Sequence, residues 1–395
     1  MKKRVLIFSL SYYPLFTSGA EAAVKEITDR IDPSDIEFHM VTLRFDSYAP
    51  REEKIGNVFV HRIGLTRPKP SFAELGKWPL DLNKPLFQFL ATWKACQLHR
   101  QTPYDAIWAL MAHSSGVPAA LFTLFHPGTP YILTLQEGDP IEHIERVMRP
   151  LWPLFTRAFT RANIIQSISS FLADWARRRH FKGPIEIIHN GANPKDLHGE
   201  ISEDEVEKIK QLIQKKAGEV ILMNTARLVH QKGHDTVIRS LPLLPSNIRL
   251  VLVGDGPDEV MLKRLAQDLQ VANRVTFMGR VDRSEVTAYR KNADIFVGPS
   301  RSEGLGNAFL SAMASRLPVI ATREGGLAEF LTEKTGWIVE KNQPEQVAER
   351  VKYIISHPDE VRRVTETARQ MVLSSYDWDL IAKEMRQRVF ERVWR

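Results

Sequence analysis

Ser300-Arg301-Ser302-Glu303-Gly304-Leu305-Gly306-Asn307 lies between an apolar run, 295–297, and a helical pattern, 308–315. Glycines at a strand-to-helix junction let a ligand approach the backbone. The helix start offers unpaired N–H groups and a partial positive charge, both suited to a diphosphate. Glu303 adds a carboxylate that can accept hydrogen bonds from sugar hydroxyls. Taken alone, the segment fits equally well a glycine-rich turn with a solvated Glu303. Upstream, Arg227 follows the apolar run 220–224, and Lys232 precedes another helical pattern. At a strand end and just before a helix, both cations can reach an anion. A solvated basic loop is the plain alternative.

A scaffold has to bring these segments together. The chain has 395 residues, more than one ordinary core, so a pair of α/β domains is expected. Short β-rich runs at 5–8, 37–42, 58–62, 106–109, 131–134, 164–167 and 185–188 alternate with longer helical segments, the pattern of parallel βαβ units. Asn190-Gly191 is a strong turn dipeptide, and the charged stretch 200–216 reads as a solvated helix after a hinge. A second series of strands follows at 220–224, 249–253, 275–277, 295–297, 319–321 and 337–339, then an amphipathic segment at 376–394. The expected architecture is α/β, with two Rossmann-like parallel-sheet domains: residues 1–195, residues 196–375, and a terminal helix over 376–395 that crosses back to the first domain. Carboxyl ends of both strand sets would face a central cleft, since such folds bind ligands there.

Composition narrows the field. Apolar residues make up 43% and charged residues 26%, the balance of a globular chain. Cys96 is the single cysteine, which excludes an intramolecular disulfide and fits a reducing, cytoplasmic compartment. The first residues carry charge and a short apolar run without a small-residue cleavage site, so they read as a strand rather than a leader. No run approaches the roughly 20 apolar residues of a membrane span. The net charge of +7 is compatible with an acidic partner, and nucleic acid has no support beyond it. Basic and aromatic residues gather at Arg146, Arg149, Trp152, Phe155, Arg157, Phe159 and Arg161, then at Trp175 and Arg177-Arg178-Arg179. This set admits peripheral contact with the inner face of a membrane, for a lipid-linked acceptor, or a solvated helix face with its aromatics turned inward. Asp377-Trp378-Asp379 spells the Asp-x-Asp pair that holds a divalent cation in many sugar transferases, yet it stands at a helix entry, where Asp caps well.

Residues 300–329 resemble the donor region of family 4 glycosyltransferases: Ser300-x-x-Glu303-Gly304-Leu305-Gly306, then Ser311-Ala312-Met313-Ala314, then Gly325-Gly326-Leu327-Ala328-Glu329. Three motifs fall in register. Thr225-Ala226-Arg227-Leu228-Val229-His230-Gln231-Lys232-Gly233 is similar to the family's diphosphate-holding Arg and Lys segment, and Phe277-Met278-Gly279-Arg280-Val281 to its base-side loop. The resemblance implies the two-domain GT-B fold and retaining, metal-independent transfer of a hexose-type sugar from a UDP- or GDP-linked donor, with no cofactor. The acceptor hydroxyl would belong to a glycan, a lipid-linked sugar or a small molecule. It implies Glu303 and His113 as catalytic residues. Arg227, Lys232, Gly304, Leu305 and Gly306 would bind the diphosphate, and Gly279, Arg280 and Ser311 the nucleoside. Gly19, in Ser18-Gly19-Ala20, takes the place of the family's first-loop glycines.

One departure stands out. The family spaces two glutamates eight apart, and eight after Glu303 stands Ser311. Replacing a carboxylate by a hydroxyl forfeits about 1–2 kcal/mol of ribose binding. An epimerase or phosphorylase on the same architecture, or a binding protein without turnover, remain the alternatives. A nicotinamide enzyme is disfavoured, because the first strand lacks Gly-x-Gly-x-x-Gly.

Overall fold

β-branched and aliphatic runs, each followed by a helix, build two parallel sheets in the computed structural model, which describes residues 2–14 and 18–394. The chain divides into two units. One comprises Met1–Glu137, Ile141–Asn190 and Trp378–Arg395, and the other Gly138–Pro140 and Gly191–Asp377.

The first unit contains β1 (Lys3–Phe8), β2 (Ile36–Leu43), β3 (Glu52–Ile55), β4 (Val58–Ile63), β5 (Ala106–Leu110), β6 (Tyr131–Leu135), β7 (Ile164–Ser167) and β8 (Ile185–Ile187). They lie in the order β3-β4-β2-β1-β5-β6-β7-β8, parallel apart from β3. β5, β6 and β7 are buried throughout, which is why they read as continuous apolar runs. β3 has no apolar alternation to announce it. It is a charged edge strand, joined to β4 by a turn at Gly56, whose φ of 56° favours glycine.

The second unit contains β9 (Val220–Thr225), β10 (Ile248–Val253), β11 (Val275–Phe277), β12 (Ile295–Gly298), β13 (Val319–Ala321) and β14 (Trp337–Ile338). Their order is β11-β10-β9-β12-β13-β14, all parallel. In each sheet the winding reverses once, between β1 and β5 in the first and between β9 and β12 in the second. Loops leaving the carboxyl ends of strands at such a reversal diverge and open a crevice. Gly19, His113, Arg227 with Lys232, and Glu303 follow those four strands, while Gly279 and Arg280 follow β11.

The second unit begins at Gly191, earlier than the expected 196, because this stretch is bonded into it. Ala192 N–H donates to the Tyr376 carbonyl at 3.1 Å, and the buried Asp196 carboxylate pairs with Arg290 and accepts from Ser315 Oγ at 2.8 Å. At the other end the terminal helix starts at Trp378, not 376. Trp378, Ile381, Met385, Val389 and Phe390 enter the first unit's core. The Phe390 ring meets Trp108 and Phe38 edge-on, at 5.2 and 5.7 Å between centroids. Phe390→Ala is therefore expected to lower unfolding stability by about 3–4 kcal/mol, measured by denaturant titration; a change below about 1 kcal/mol would mean that the helix is not part of this core.

Candidate active site

In the second unit, Lys232 sits in a tight turn after β9, and Gly233 ends that turn with φ at 69°. A Cβ at Gly233 would stand 2.2 Å from the Pro299 carbonyl oxygen, so only glycine lets this turn pack against the exit of β12. Lys232 Nζ donates to Glu303 Oε1 at 2.7 Å, and Ser300 Oγ donates to the same oxygen at 3.0 Å. Both charged side chains are nearly buried, with 13% and 9% of their surface exposed, so neither is screened as a surface pair would be.

The backbone under Glu303 is also fixed. Gly326 N–H donates to the Glu303 carbonyl at 3.0 Å, and Cβ atoms on Gly325 and Gly326 would lie 2.1 Å from the carbonyl oxygens of Glu303 and Gly304. The Gly-Gly pair is the spacing that lets the turn Gly325–Glu329 lie flat on the loop. Gly306 then adopts φ of 103° and starts the helix Asn307–Ala314, whose first amides point out of its end. The Leu305 side chain is buried, so its contribution to an anion would come from its backbone.

Arg227 is half exposed. Its Nη2 reaches Asp139 Oδ1 at 3.2 Å, and Gln231 Nε2 donates to the same oxygen at 2.7 Å. The guanidinium is thus already paired with a carboxylate of the same unit. Arg301 forks onto both oxygens of Asp235, at 2.9 and 2.8 Å, and donates to the His230 carbonyl at 2.6 Å. Burial pushes the Asp235 carboxyl up, but Arg301 outweighs it and holds the group below its ordinary range. His234 is buried with Nε2 3.1 Å from the Arg227 carbonyl, and burial lowers its pKa to about 4. It is neutral at pH 7 and adds no charge beside the two cations. On the base side, Gly279 has φ of 68° and accepts from Gly254 N–H at 2.8 Å, while Arg280 is exposed.

In the first unit, β5 ends at Met111, held at φ 65°, a sharp bend that turns the chain into Ala112–Gly116. His113 lies on that bend, three-quarters buried, with Nδ1 3.6 Å from Glu137 Oε1. This is an electrostatic contact and is too long for a hydrogen bond. Glu137 itself is buried and accepts from Ala112 N–H at 2.6 Å and Gln136 N–H at 2.9 Å. Beyond β1, Gly19 is the first residue of the helix Gly19–Asp29. Ser18 and Glu21 form a capping box there, and Ser11 Oγ donates to Glu21 at 2.6 Å.

With this geometry in place, residues 18–191 match the family model described as glycosyl transferase 4-like domain, and residues 205–371 the model of glycosyl transferases group 1. The chain belongs to this glycosyltransferase family. It is 36% identical over 171 residues to a GDP-mannose-dependent alpha-(1-6)-phosphatidylinositol monomannoside mannosyltransferase of Mycobacterium tuberculosis strain H37Rv, covering 40% of this chain and 44% of the relative. It is 32% identical over 204 residues to the uncharacterized glycosyltransferase MJ1607 of Methanocaldococcus jannaschii, 51% of this chain and 52% of the relative. These matches span about half the length of the relatives concerned. MJ1178 of the same organism matches end to end, 25% identical over 99% of this chain and 98% of its own. Among solved structures, sucrose-phosphate synthase of Thermosynechococcus elongatus shares the fold, with TM-score 0.81, 20% identity and 99% of each chain covered.

The departure from the family at Ser311 acquires a physical account. Ser311 is 3% exposed, and its Oγ accepts from the Asn193 backbone N–H at 2.9 Å. The hydroxyl is thus committed to the segment that enters the second unit. Asn193 Nδ2 adds a contact to Thr287 Oγ1 at 3.4 Å. Glu137, Asp139, Gln231, His234 and Arg301 were not singled out from sequence, because their partners lie on other elements. His234 and Asp235, following directly on the Lys232-Gly233 pair, gave the only local signal.

Asp377 Oδ2 lies 2.6 Å from His198 Nε2, and Asp379 accepts from Arg30 Nε at 2.6 Å. The basic and aromatic set divides: Phe155, Phe159 and Trp175 are fully buried and the Arg179 guanidinium lies 3.9 Å over the Trp152 ring, while Arg146, Arg149, Trp152, Arg161, Arg177 and Arg178 are exposed.

Two outcomes are expected. Ser311→Ala should lower stability by about 1–2 kcal/mol, because it strands a buried N–H, while changing the Kd of UDP or GDP less than about twofold. A tenfold loss of nucleotide affinity at unchanged stability would put this hydroxyl on the ribose instead. For His234 the unfolded chain takes up a proton near pH 6.5 and the folded chain only near pH 4, so stability falls as pH drops through this window. Between pH 7 and pH 5 the wild type should lose about 2 kcal/mol more than His234→Gln by denaturant unfolding. Equal losses in both proteins would show the imidazole to be solvated.

Proposed function

We propose that this protein is a retaining glycosyltransferase, moving a hexose-type sugar from a UDP- or GDP-linked donor to a hydroxyl of a glycan, lipid-linked or small-molecule acceptor. The reading is carried by the desolvated Lys232–Glu303 pair at the reversal of the second sheet, beside a glycine loop and a helix start. The family membership supports it, as does the donor named for the mycobacterial relative.

In this reading the acceptor oxygen forms a bond to the anomeric carbon on the face from which the bond to the diphosphate breaks. The acceptor proton passes to the departing phosphate, so no protein nucleophile is needed. Glu303 accepts hydrogen bonds from the donor sugar. Lys232 keeps two further N–H donors beyond the one spent on Glu303, and with Arg227 and the amides at Gly304–Gly306 it neutralises the phosphate as charge develops. Neutralisation of the diphosphate is assigned to these groups rather than to a divalent cation. His113 lines the reacting face of the sugar, oriented by the bend at Met111 and by the Glu137 carboxylate.

Incubation with GDP-mannose and UDP-glucose, scored for released nucleotide and for hydrolysed or transferred sugar, tests the assignment. Glu303→Gln and Lys232→Ala are each expected to lower turnover at least about a hundredfold with the fold retained by circular dichroism. Full activity in both variants would place the site elsewhere. An epimeric nucleotide sugar formed with no nucleotide released would point to the epimerase alternative, and sugar 1-phosphate formed from a glycan and inorganic phosphate to the phosphorylase.

A further inference from the structure

The helix Asn83–Gln101 carries two apolar stripes where a surface helix needs one. Phe87, Ala91, Ala95 and Leu98 face the first unit's core. On the opposite side Leu82, Leu86, Phe89 and Trp93 follow one another at helical spacing, with Phe89 54% and Trp93 65% exposed. The neighbouring helix Val117–Phe125 extends this surface through Leu124 and Phe125, and Trp78, 72% exposed, comes shortly before Asn83 in the chain. Between the two helices runs an open groove of about 640 Å³, lined by Phe89, Trp93, Cys96, Arg100, Leu121 and Phe125. Singly exposed apolar residues are ordinary, but a contiguous set of this size on a folded unit marks a surface that is covered in use.

Charge selects the cover. The chain carries 47 Asp and Glu in 395 residues, yet none occurs from Leu82 to Gln101 or from Ala106 to Pro130. Lys77, Lys84 and Arg100 border the apolar stripe, while Lys94 is within 3.5 Å of Glu52. Asp81 is the one acidic residue between Lys77 and Arg100. A second copy of the chain docking symmetrically would set this cationic rim against itself. A surface of anionic lipid headgroups would neutralise it. Exposed tryptophans beside long basic side chains also suit the boundary between headgroups and acyl chains, where indole rings reside and Lys and Arg extend toward phosphate.

We propose that the outer face of Asn83–Gln101 and Val117–Phe125 docks on an anionic lipid bilayer, with Phe89, Trp93 and Phe125 inserted below the phosphates and Lys84 and Arg100 at their level. No helix among the described residues is long and apolar enough to cross a membrane, so the contact is peripheral. This surface differs from the basic and aromatic set at 146–179, where Phe155, Phe159 and Trp175 are spent in the core and only the Trp152 ring is exposed. The inference does not depend on the nucleotide-sugar reading, and the two are measured separately.

The test is co-sedimentation of the full chain with vesicles of phosphatidylglycerol and phosphatidylcholine, compared with phosphatidylcholine alone. The wild type should bind the anionic vesicles preferentially. Trp93→Ala with Phe125→Ala should weaken partitioning at least about tenfold, with the thermal midpoint and donor hydrolysis in solution unchanged. Lys84→Glu with Arg100→Glu should abolish the preference for anionic lipid, which guards against misfolding of the first variant. Absence of vesicle binding by the wild type, or equal binding by wild type and both variants, overturns the proposal. So does a wild-type dimer in light scattering that Trp93→Ala with Phe125→Ala converts to monomer, because a second copy would then be the cover.

Discussion

A lysine and a glutamate held 2.7 Å apart and nearly out of water tie together two neighbouring strands of the second unit. Such a pair is favourable only when its geometry is maintained and its remaining hydrogen-bonding capacity is met, since each ion has given up solvation. Lys232 comes after β9 and Glu303 after β12, so the pair requires the two strands to be neighbours. The sheet order supplies this by reversing its winding there. The requirement continues into the backbone. Gly233 has to pass within van der Waals reach of Pro299, and Gly325-Gly326 has to lie on Glu303 and Gly304, so the glycines serve the ion pair as much as any ligand.

Around this centre, charge is distributed by burial. His234 stands next to the cationic turn but is kept neutral, and Asp235 is kept ionised because Arg301 forks onto it. Burial sets the first and a paired guanidinium the second. Ser311 illustrates the reverse exchange. Where the family carries a carboxylate, this chain carries a hydroxyl that clasps Asn193 and, together with the Asp196–Arg290 pair, fixes the segment entering the second unit. A carboxylate at that buried position would have to be satisfied by more donors than one backbone N–H.

Aromatic residues are used in two opposite ways in the first unit. Near Arg179 they enclose a cation and complete the core, whereas along Asn83–Gln101 they lie outside a helix whose inner stripe already fills the core. Their composition is alike. Only their phase on the helix and the depth of the neighbouring elements separate them.

Strand positions, the tandem α/β plan and the family-like segments at 225–233 and 300–329 were legible in the sequence, because buried parallel strands are continuous apolar runs and those motifs are local in the chain. Strand β3 was not, since a charged edge strand is defined by its partner and not by its own period. Nor was the start of the second unit at Gly191, which is decided by hydrogen bonds to Tyr376 and Ser311, far off in the chain. Residue types alone placed Glu303, Lys232 and Arg227 among candidate ligands. Tertiary structure alone decided that Lys232 and Glu303 are one desolvated unit, that Asp139 pairs with Arg227, that Glu137 stands behind His113, and that Ser311 is turned inward. Each of these depends on which distant side chain shares a low-dielectric space, and that is set by packing.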